Sequence, residues 1–332
     1  MCEMATPVPK HDELLIRIRA TTVTTADWRV RSLILPQGFG LLGRLALGIT
    51  GPRQPILGTE LAGEVVQTGS AVKNFRVGDQ VFAFPGAGMA CHAEYRCVAE
   101  TGPVAKMPPN LNYEQATALC FGGSTMLDFY RRGALANGER VLVNGASGGV
   151  GTAAVQLAKH FGAHVTAICS KGNVEMIRSI GADAVIDYTQ QDFSRSGDSF
   201  DVIVDTVGNA PFSRSGSSLK PGGRLLMLVA GLWDLLQVPW INLRTGKTVV
   251  AGPVEERVEY LQQLATLAAA GTFLPVIDRC FPFEQIVEAH RYVDTGRKRG
   301  NVVITFRAQE LMPYFRFFDF EASRSPLNFD SI

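Results

Sequence analysis

The sequence lacks a long hydrophobic run, an excess of charge of either sign and any regular spacing of cysteines. No apolar stretch approaches the roughly 18 to 20 residues that cross a bilayer, so no membrane span is expected. Lys plus Arg total 32 and Asp plus Glu total 31, which argues against a nucleic acid as partner. The basic triplet 297–299 is expected to be a solvated turn. Six scattered cysteines predict free thiols and a cytoplasmic protein.

A chain of 332 residues is long enough for two domains, and its pattern of strand-like and helix-like segments changes along its length. The first third contains short strands separated by Gly and Pro, such as residues 13–20, 61–69 and 79–84. After about Tyr113, strands and helices alternate, which is typical of a parallel sheet covered by helices. A long helix is then expected over residues 255–270, before a last strand, NVVITF. The terminal strands need partners, so the two ends are expected to share a sheet.

The strongest functional signal is RVLVNGASGGVGTAAVQLAKHFGAHVTAICSKGN, residues 140–173. A short strand precedes four glycines within seven residues, and a helix with one apolar face follows. Glycines let backbone N–H groups approach a pyrophosphate, and a helix N-terminus adds partial positive charge. Within a complete β-α-β unit this order predicts a dinucleotide site. Its predicted residues are Asn144, Ala146, Ser147, Gly148, Gly149, Val150 and Gly151.

The end of the next strand indicates which dinucleotide binds. An NAD site carries an acidic residue there for the ribose 2′-OH, but this chain has Cys169-Ser170-Lys171. A hydroxyl and a cation suit a 2′-phosphate, so NADP(H) is predicted. Tyr188 either lies near the same phosphate or is an ordinary strand-end tyrosine. Ligands bind at the carboxyl ends of parallel strands, so the later strand ends are expected to face the nicotinamide. Those residues are Val207, Gly208, Val229 and Ala230.

Several stretches resemble the medium-chain dehydrogenase/reductase superfamily, and within it the zinc-independent quinone oxidoreductases. They are NGASGGVGTAAVQLAKHFGA, GADAVIDY, FDVIVDTVG, LGTELAG, FRVGDQVF and FPFEQIVEAHRYVDTG…GNVVITF, spread over about residues 6–306. The resemblance implies an α/β protein with a Rossmann domain, residues 116–252, and a GroES-like catalytic domain, residues 1–115 and 253–306. It also implies a homodimer.

The two ends depart from that family pattern. Relatives begin some two dozen residues earlier with a strand pair, so the chain is expected to be truncated at its amino terminus. Residues 307–332 have no counterpart in the family. They are either a loosely docked extension or a segment that covers an apolar groove on this chain or on a partner.

The zinc ligands of other superfamily members are replaced here. Thr59 stands where those members have the His of G-H-E, and TTVTTADW lacks their Cys. One remaining carboxylate, Glu60, cannot hold a catalytic zinc, which needs three N, S or carboxylate ligands. Cys91, His92 and Cys97 form an isolated pattern without the four cysteines of a structural zinc lobe. No metal is therefore predicted, and Glu60 is expected to pair with an arginine across the domain junction.

Without zinc there is no Lewis acid, so acceptors that take hydride readily are favoured, namely quinones and activated enones. By resemblance, Thr24, Asp27, Thr59 and Thr125 are the candidate catalytic residues, although Thr125 could equally be a plain helix-interior threonine. Arg29 either favours a carbonyl or anionic substrate or lies at the surface. Two alternatives stay open: an enoyl or alkenal reductase of the same superfamily, and a non-enzymatic NADPH-binding or scaffold protein.

Overall fold

The computed structural model describes residues 2–48, 53–307 and 314–318 of the chain. Its strands are β1 Cys2–Ala5, β2 Glu13–Thr22, β3 Leu61–Thr68, β4 Gln80–Ala83, β5 Tyr95–Ala99, β6 Val104–Lys106, β7 Arg140–Asn144, β8 His164–Cys169, β9 Ala184–Asp187, β10 Phe200–Asp205, β11 Leu219–Met227, β12 Thr248–Ala251, β13 Ile277–Pro282, β14 Asn301–Thr305 and β15 Tyr314–Phe317. Its helices are α1 Thr25–Ser32, α2 Gly40–Leu47, α3 Tyr113–Arg132, α4 Gly149–His160, α5 Val174–Ser179, α6 Phe212–Ser215, α7 Leu232–Arg244, α8 Val258–Ala269 and α9 Ile286–Asp294.

One sheet is parallel throughout and follows the order β12-β11-β10-β7-β8-β9. Its strands are continuous apolar runs because helices cover both faces, and Val141, Leu142 and Val143 are fully buried. The chain runs outward from β7 in both directions, so a crevice opens beyond the carboxyl ends of β7 and β10. This sheet confirms the predicted Rossmann-like fold.

The other sheet is mixed and follows the order β13-β14-β2-β3-β4-β6, with β5 paired to β2. Strands from both ends of the chain meet in it, since β14 pairs antiparallel with β2. The prediction that the two ends of the chain share a sheet is therefore confirmed. The predicted domain limits stay predictions. Helix α3 lies between the sheets, packing on α4 from one side and on β2 from the other. No described helix has the length and hydropathy needed to cross a bilayer.

The helix predicted over residues 255–270 begins later than expected, at Val258. Arg257 is extended, with φ −112° and ψ 136°, and is the N-cap. Glu255 accepts hydrogen bonds from Arg257 and from Arg131 on α3. These side-chain bonds hold the segment between β12 and α8 out of the helix, and they were not visible in the residue pattern.

Part of the tail docks on this chain. β15 pairs antiparallel with β1, and Arg316 forms an ion pair with Glu94 at 2.7 Å. Phe318 is 3% exposed and lies in an apolar cluster with Phe283 and α9. Residues 314–318 thus cover an apolar surface of their own chain, which was the second of the two expectations for this segment. The other residues of the predicted extension, 308–313 and 319–332, lie outside the described residues.

Candidate active site

The glycine-rich loop after β7 has the closed shape that the sequence predicts. Gly145 has φ +79°, and a Cβ at Gly151 would lie 2.1 Å from the Gly145 carbonyl oxygen. Gly148 is different: it is an extended N-cap with φ −79°, and a Cβ there would meet only an ordinary contact at 3.7 Å. Neither backbone nor packing requires glycine at that position. The free space in front of α4 is what a pyrophosphate would need, so the loop fits a dinucleotide.

The segment before β14 is fastened to this loop. The Gly300 amide donates to the Ser147 carbonyl at 2.8 Å, and Gly148 and Gly300 form a parallel bridge. The Asn301 Oδ1 lies 2.7 Å from where a Cβ of Gly149 would stand. The loop therefore lies at the junction of the two sheets, within reach of residues far away in sequence.

Two further strand ends close the crevice. Asp205, fully buried at the end of β10, accepts hydrogen bonds from the Asn144 side chain and from three amides that follow it. Asn144 also donates to Asn209, so it organises the loop rather than facing open space. A Cβ at Gly208 would lie 2.7 Å from the Val229 side chain. The loops that carry Val207, Gly208, Val229 and Ala230 are thus packed together at this edge.

The end of β8 carries the groups predicted to receive a 2′-phosphate. Ser170 and Lys171 follow β8 directly, and the Tyr188 amide donates to the Cys169 carbonyl at 3.2 Å. The Tyr188 side chain is 63% exposed beside them. The structure adds Arg299, whose Nη2 lies 3.7 Å from where a Cβ of Gly172 would stand. Arg299 was missed because its only sequence signal was a basic triplet, which was interpreted as a solvated turn.

A cavity of about 450 Å³ lies between the two sheets. Its lining is mainly apolar and comes from widely separated segments: Ala26, Val30, Arg53, Gln54, Thr59, Phe84, Gly86, Ala87, Met89, Phe121, Thr125, Pro253, Val254 and Glu256. Thr59 and Thr125 are each 4% exposed. Within the described residues, neither hydroxyl has a hydrogen-bond partner. An unpaired buried hydroxyl costs about 1–3 kcal/mol, a cost that a polar ligand atom in the cavity would offset.

The structure does not place Thr24 and Asp27 in that cavity, to which α1 contributes Ala26 and Val30. Thr24 and Asp27 form a capping box at the start of α1. Asp27 is fully buried: its Oδ2 accepts from the Thr24 amide and hydroxyl, and its Oδ1 accepts from the Gly58 amide at 2.8 Å. The carboxylate thereby fixes the backbone that precedes Thr59. Arg29, also on α1, is partly buried, and that burial lowers its pKa.

Glu60 is buried behind the cavity wall. Its two oxygens accept from the Thr22 hydroxyl and from the Phe121 amide. Burial raises the pKa of Glu60 to about 8, opposed in part by those hydrogen bonds and by the charge of Lys298. The predicted pairing of Glu60 with an arginine is wrong. The cation whose charge lowers the pKa of Glu60 is Lys298. Lys298 is half-buried, so the basic triplet is not a fully solvated turn.

Two members of the isolated pattern Cys91, His92 and Cys97 are buried here. The His92 Nε2 lies 2.9 Å from the Thr22 carbonyl oxygen. Cys91 is buried, and desolvation raises the pKa of its thiol to about 12. Across residues 2–48, 53–307 and 314–318, no group of three or more His, Cys, Asp and Glu side chains could hold a metal ion.

Known proteins resemble the chain over most of its length. Residues 10–111 match the family described as alcohol dehydrogenase GroES-like domain, and residues 180–304 match zinc-binding dehydrogenase. The 2-methylene-furan-3-one reductase of Solanum lycopersicum is 34% identical over 315 residues, covering 91% of this chain and 74% of that protein. The mitochondrial NAD(P)H oxidoreductase RTN4IP1 of Mus musculus is 33% identical over 328 residues, covering 88% and 81%. The solved quinone oxidoreductase from Coxiella burnetii superposes with a TM-score of 0.80 at 27% identity, covering 92% and 93%.

Proposed function

The chain belongs to the medium-chain dehydrogenase/reductase superfamily, among its quinone oxidoreductase-like members, and on that premise we propose that it transfers hydride from NADPH to a quinone or an activated enone. It is an NAD(P)H-dependent oxidoreductase, as its relatives are named. The observation that carries the proposal is the apolar cavity with two unpaired hydroxyls, those of Thr59 and Thr125.

The residues divide the work between holding the cofactor and shaping the acceptor site. The loop from Ala146 to Gly151 would hold the pyrophosphate through backbone N–H groups and the start of α4. When bound, the cofactor supplies the hydride. Thr59 and Thr125 donate hydrogen bonds to carbonyl oxygens in the cavity, and the apolar walls exclude water. The proton that completes the reduction comes from water or a weak donor at the cavity mouth.

Thr24 and Asp27 act in this proposal as positioning residues. Asp27 holds the Gly58 amide, and Gly58 has φ +93° with a Cβ position only 2.6 Å from the His92 ring. This constrained turn fixes the direction of Thr59. The metal-free character of the site is also part of the proposal, because a threonine replaces a histidine ligand and both oxygens of Glu60 already accept hydrogen bonds.

The residues that follow β8 supply a hydroxyl and cations, and no carboxylate stands directly after the strand. NADPH is therefore proposed over NADH. Asp187 on the neighbouring strand directs its Oδ1 to the Thr189 amide and hydroxyl. Lys171→Met and Arg299→Met are each expected to lower kcat/KM for NADPH about tenfold or more and to leave that for NADH almost unchanged. A wild-type preference for NADH would contradict the assignment.

The experiment that tests the function is a panel of acceptors assayed for NADPH oxidation: phenanthrenequinone, an α,β-unsaturated aldehyde and an enoyl thioester. Turnover of the quinone or the aldehyde supports the proposal. Turnover of the thioester alone would instead indicate an enoyl reductase, the alternative within the same superfamily. Tight NADPH binding without turnover of any acceptor would indicate a non-enzymatic binding protein.

The oligomeric state and the location are also proposals. A homodimer is proposed, with the exposed apolar face of α7 as the contact; this face consists of Trp233, Leu236, Trp240 and Leu243. The cytoplasm is proposed as the compartment on the ground of the free cysteines.

A further inference from the structure

The mouth of the cavity is formed by those lining residues that are exposed to solvent. Thr59, Phe84 and Thr125 lie at the buried end. The exposed lining residues come from three separate segments of the chain: Arg53, Gln54, Ala87, Pro253 and Glu256. The mouth is therefore a gap between segments, and its width depends on the contacts that join them.

A hydrogen bond joins two of these segments at the mouth. The Ala87 amide donates to the Glu256 Oε1 at 2.7 Å. The carboxylate also packs against Gly86, since a Cβ at Gly86 would lie 1.9 Å from the same oxygen. The Glu256 side chain thus occupies the place where the two walls of the cavity meet.

Ala87 lies at the tip of a short turn in one of these walls. The Gly86 amide donates to the Thr59 carbonyl oxygen at 3.0 Å, so the turn continues the wall that begins at Thr59. Met89 and Ala90, which lead out of the turn, have φ +45° and +63°, a region that strains residues other than glycine. A strained turn keeps its shape only while its contacts hold it, and the bond to Glu256 is one of them.

The segment that carries Glu256 is fixed on α3, the helix that contributes Thr125 to the cavity. Arg132 of α3 donates to the Pro253 carbonyl oxygen at 3.3 Å. Arg131 of α3 forms an ion pair at 3.1 Å with the residue directly before Glu256. The backbone on this side is therefore held in place, and the exposed side chain of Glu256 is the part of the contact that can move.

We propose that Glu256 is a latch that holds the mouth at its closed width, so that the enzyme selects compact acceptors over long ones. The inference rests on the proposed function, since it assumes that the acceptor enters this cavity. Glu256 is a positioning residue, because it acts through the turn at Ala87 and not on the reacting atoms. With the bond in place, the wall encloses a short quinone or enone and excludes water, whereas a long acceptor must break the bond to enter.

Three variants separate the hydrogen bond from the charge. Glu256→Gln keeps an oxygen that accepts from the Ala87 amide, whereas Glu256→Met keeps the length of the side chain and loses the acceptor. Gly86→Ala keeps the carboxylate but places a methyl group where it lies, so the Glu256 side chain must move away. A change shared by Glu256→Met and Gly86→Ala therefore cannot come from the apolar side chain of Met. Glu259→Met, at an exposed carboxylate of α8 outside the cavity, is the matched control.

The measurement is kcat and KM with a short and a long acceptor of one class, either 2-hexenal and 2-dodecenal or benzoquinone and decylbenzoquinone. In Glu256→Met and Gly86→Ala, KM for the short acceptor should rise about three- to tenfold with kcat almost unchanged, because binding to the closed wall is lost. The ratio of kcat/KM for the long acceptor to that for the short one should rise about tenfold. In Glu256→Gln and Glu259→Met this ratio should stay within about twofold of the wild type. The Kd for NADPH should be the same in all variants.

Hydrogen exchange at the Ala87 amide gives a second readout, which does not depend on activity. Exchange should be about tenfold faster in Glu256→Met than in the wild type and in Glu256→Gln. An unchanged length preference or an unchanged exchange rate in Glu256→Met would overturn the inference and leave the proposed function standing. Equal effects of Glu256→Gln and Glu256→Met would also overturn it, because the charge and not the hydrogen bond would then act. If the wild type reduces neither class of acceptor, the proposed function fails and the inference fails with it.

Discussion

Thr59 is the residue that most affects how the site is interpreted. From the sequence it was only a threonine in the place of a zinc ligand. The structure adds that its hydroxyl is buried, unpaired within the described residues and part of an apolar cavity that it shares with Thr125. Its position could be predicted because it lies in a short motif. Its partner across the cavity, Thr125, came only from the family resemblance.

Replacing either hydroxyl by a methyl group should affect turnover and not stability. Thr59→Val and Thr125→Val are each expected to lower kcat/KM for the acceptor about 10- to 100-fold, because a hydrogen bond made in the cavity is lost. Tm should change little, because neither hydroxyl has a protein partner among the described residues. Thr117→Val is the matched control: it removes a buried hydroxyl of α3 that also has no partner in the described part of the chain and lies outside the cavity. Equal effects in all three variants would contradict these roles.

His290 gives the molecule a predictable sensitivity to acid. It is 2% exposed, stacks on Phe318 at 5.8 Å, and neither ring nitrogen has a partner within the described residues. Burial, His92 and Arg31 lower its pKa well below the usual value. The unfolded chain therefore binds a proton more strongly, and this contribution to stability, present above about pH 6.5, is lost as the pH falls below it.

The expected loss is up to about 1.4 kcal/mol per pH unit below 6.5 in the free energy of unfolding. Denaturant titrations at several pH values measure it. His290→Leu should remove that part of the slope, whereas His160→Leu, at an exposed histidine, should retain it. Parallel slopes for the wild type and His290→Leu would show that the histidine is already protonated or solvated in the folded state.

At the scale of the element, the strand, glycine-rich loop and helix from β7 to α4 were fully predictable, because turn chemistry and helix periodicity are local. The start of α8 was not, because Glu255 is held by an arginine of α3 that is distant in sequence. Lys298 and Arg299 were missed for a similar reason. The bridge between Gly148 and Gly300, a contact that no local pattern contains, brings the segment that carries them to the cofactor loop.

Two glycines of the loop should respond differently to alanine. Gly148→Ala is expected to keep the free energy of unfolding within about 0.5 kcal/mol and to weaken NADPH binding at least tenfold, since its Cβ enters only the space left for the ligand. Gly151→Ala should destabilise the fold by several kcal/mol, because its Cβ would lie 2.1 Å from the Gly145 carbonyl oxygen. Unchanged NADPH affinity in Gly148→Ala, measured by fluorescence titration, would remove the pyrophosphate from this position.

At the scale of the whole molecule, the two-sheet architecture could be predicted from alternating elements and from the unpaired strands at both ends. The pairing of β1 with β15 could not, because it joins segments about 300 residues apart with little sequence pattern of their own. The exposed face of α7 was also missed as a surface. Its residue pattern alone does not distinguish an exposed apolar face from a buried one, and Trp233, Leu236, Trp240 and Leu243 are 60% to 80% exposed.

The proposed dimer should form through this face and not through the edge of the parallel sheet. The Asn242 side chain bonds both the amide and the carbonyl of Val249 at the outer edge of β12, and Arg132 donates to the Ala251 carbonyl. These bonds leave fewer backbone groups for strand pairing. Standard interfaces bury about 800 Å² per partner, and two exposed tryptophans with two leucines supply much of that area.

Sedimentation velocity of the wild type is expected to give a dimer. The double variant Trp233→Ser with Trp240→Ser should shift it to monomer by weakening the apolar contact. Val77→Ser, at a residue that is 62% exposed elsewhere, is the control. A monomeric wild type, or a double variant that stays dimeric, would reject this surface.

The central claim is that hydride passes from NADPH to an acceptor in the cavity between the two sheets, without a metal. It is tested most directly with NADPH deuterated at the transferable C4 position, an enone acceptor and chelator-treated protein shown to be free of metal, with the product analysed by mass spectrometry. The account predicts one deuterium on the β-carbon of the product, at a rate unchanged by the chelator and lowered in Thr59→Val. Absence of deuterium from the product, or activity that disappears with the metal and returns with zinc, would contradict it.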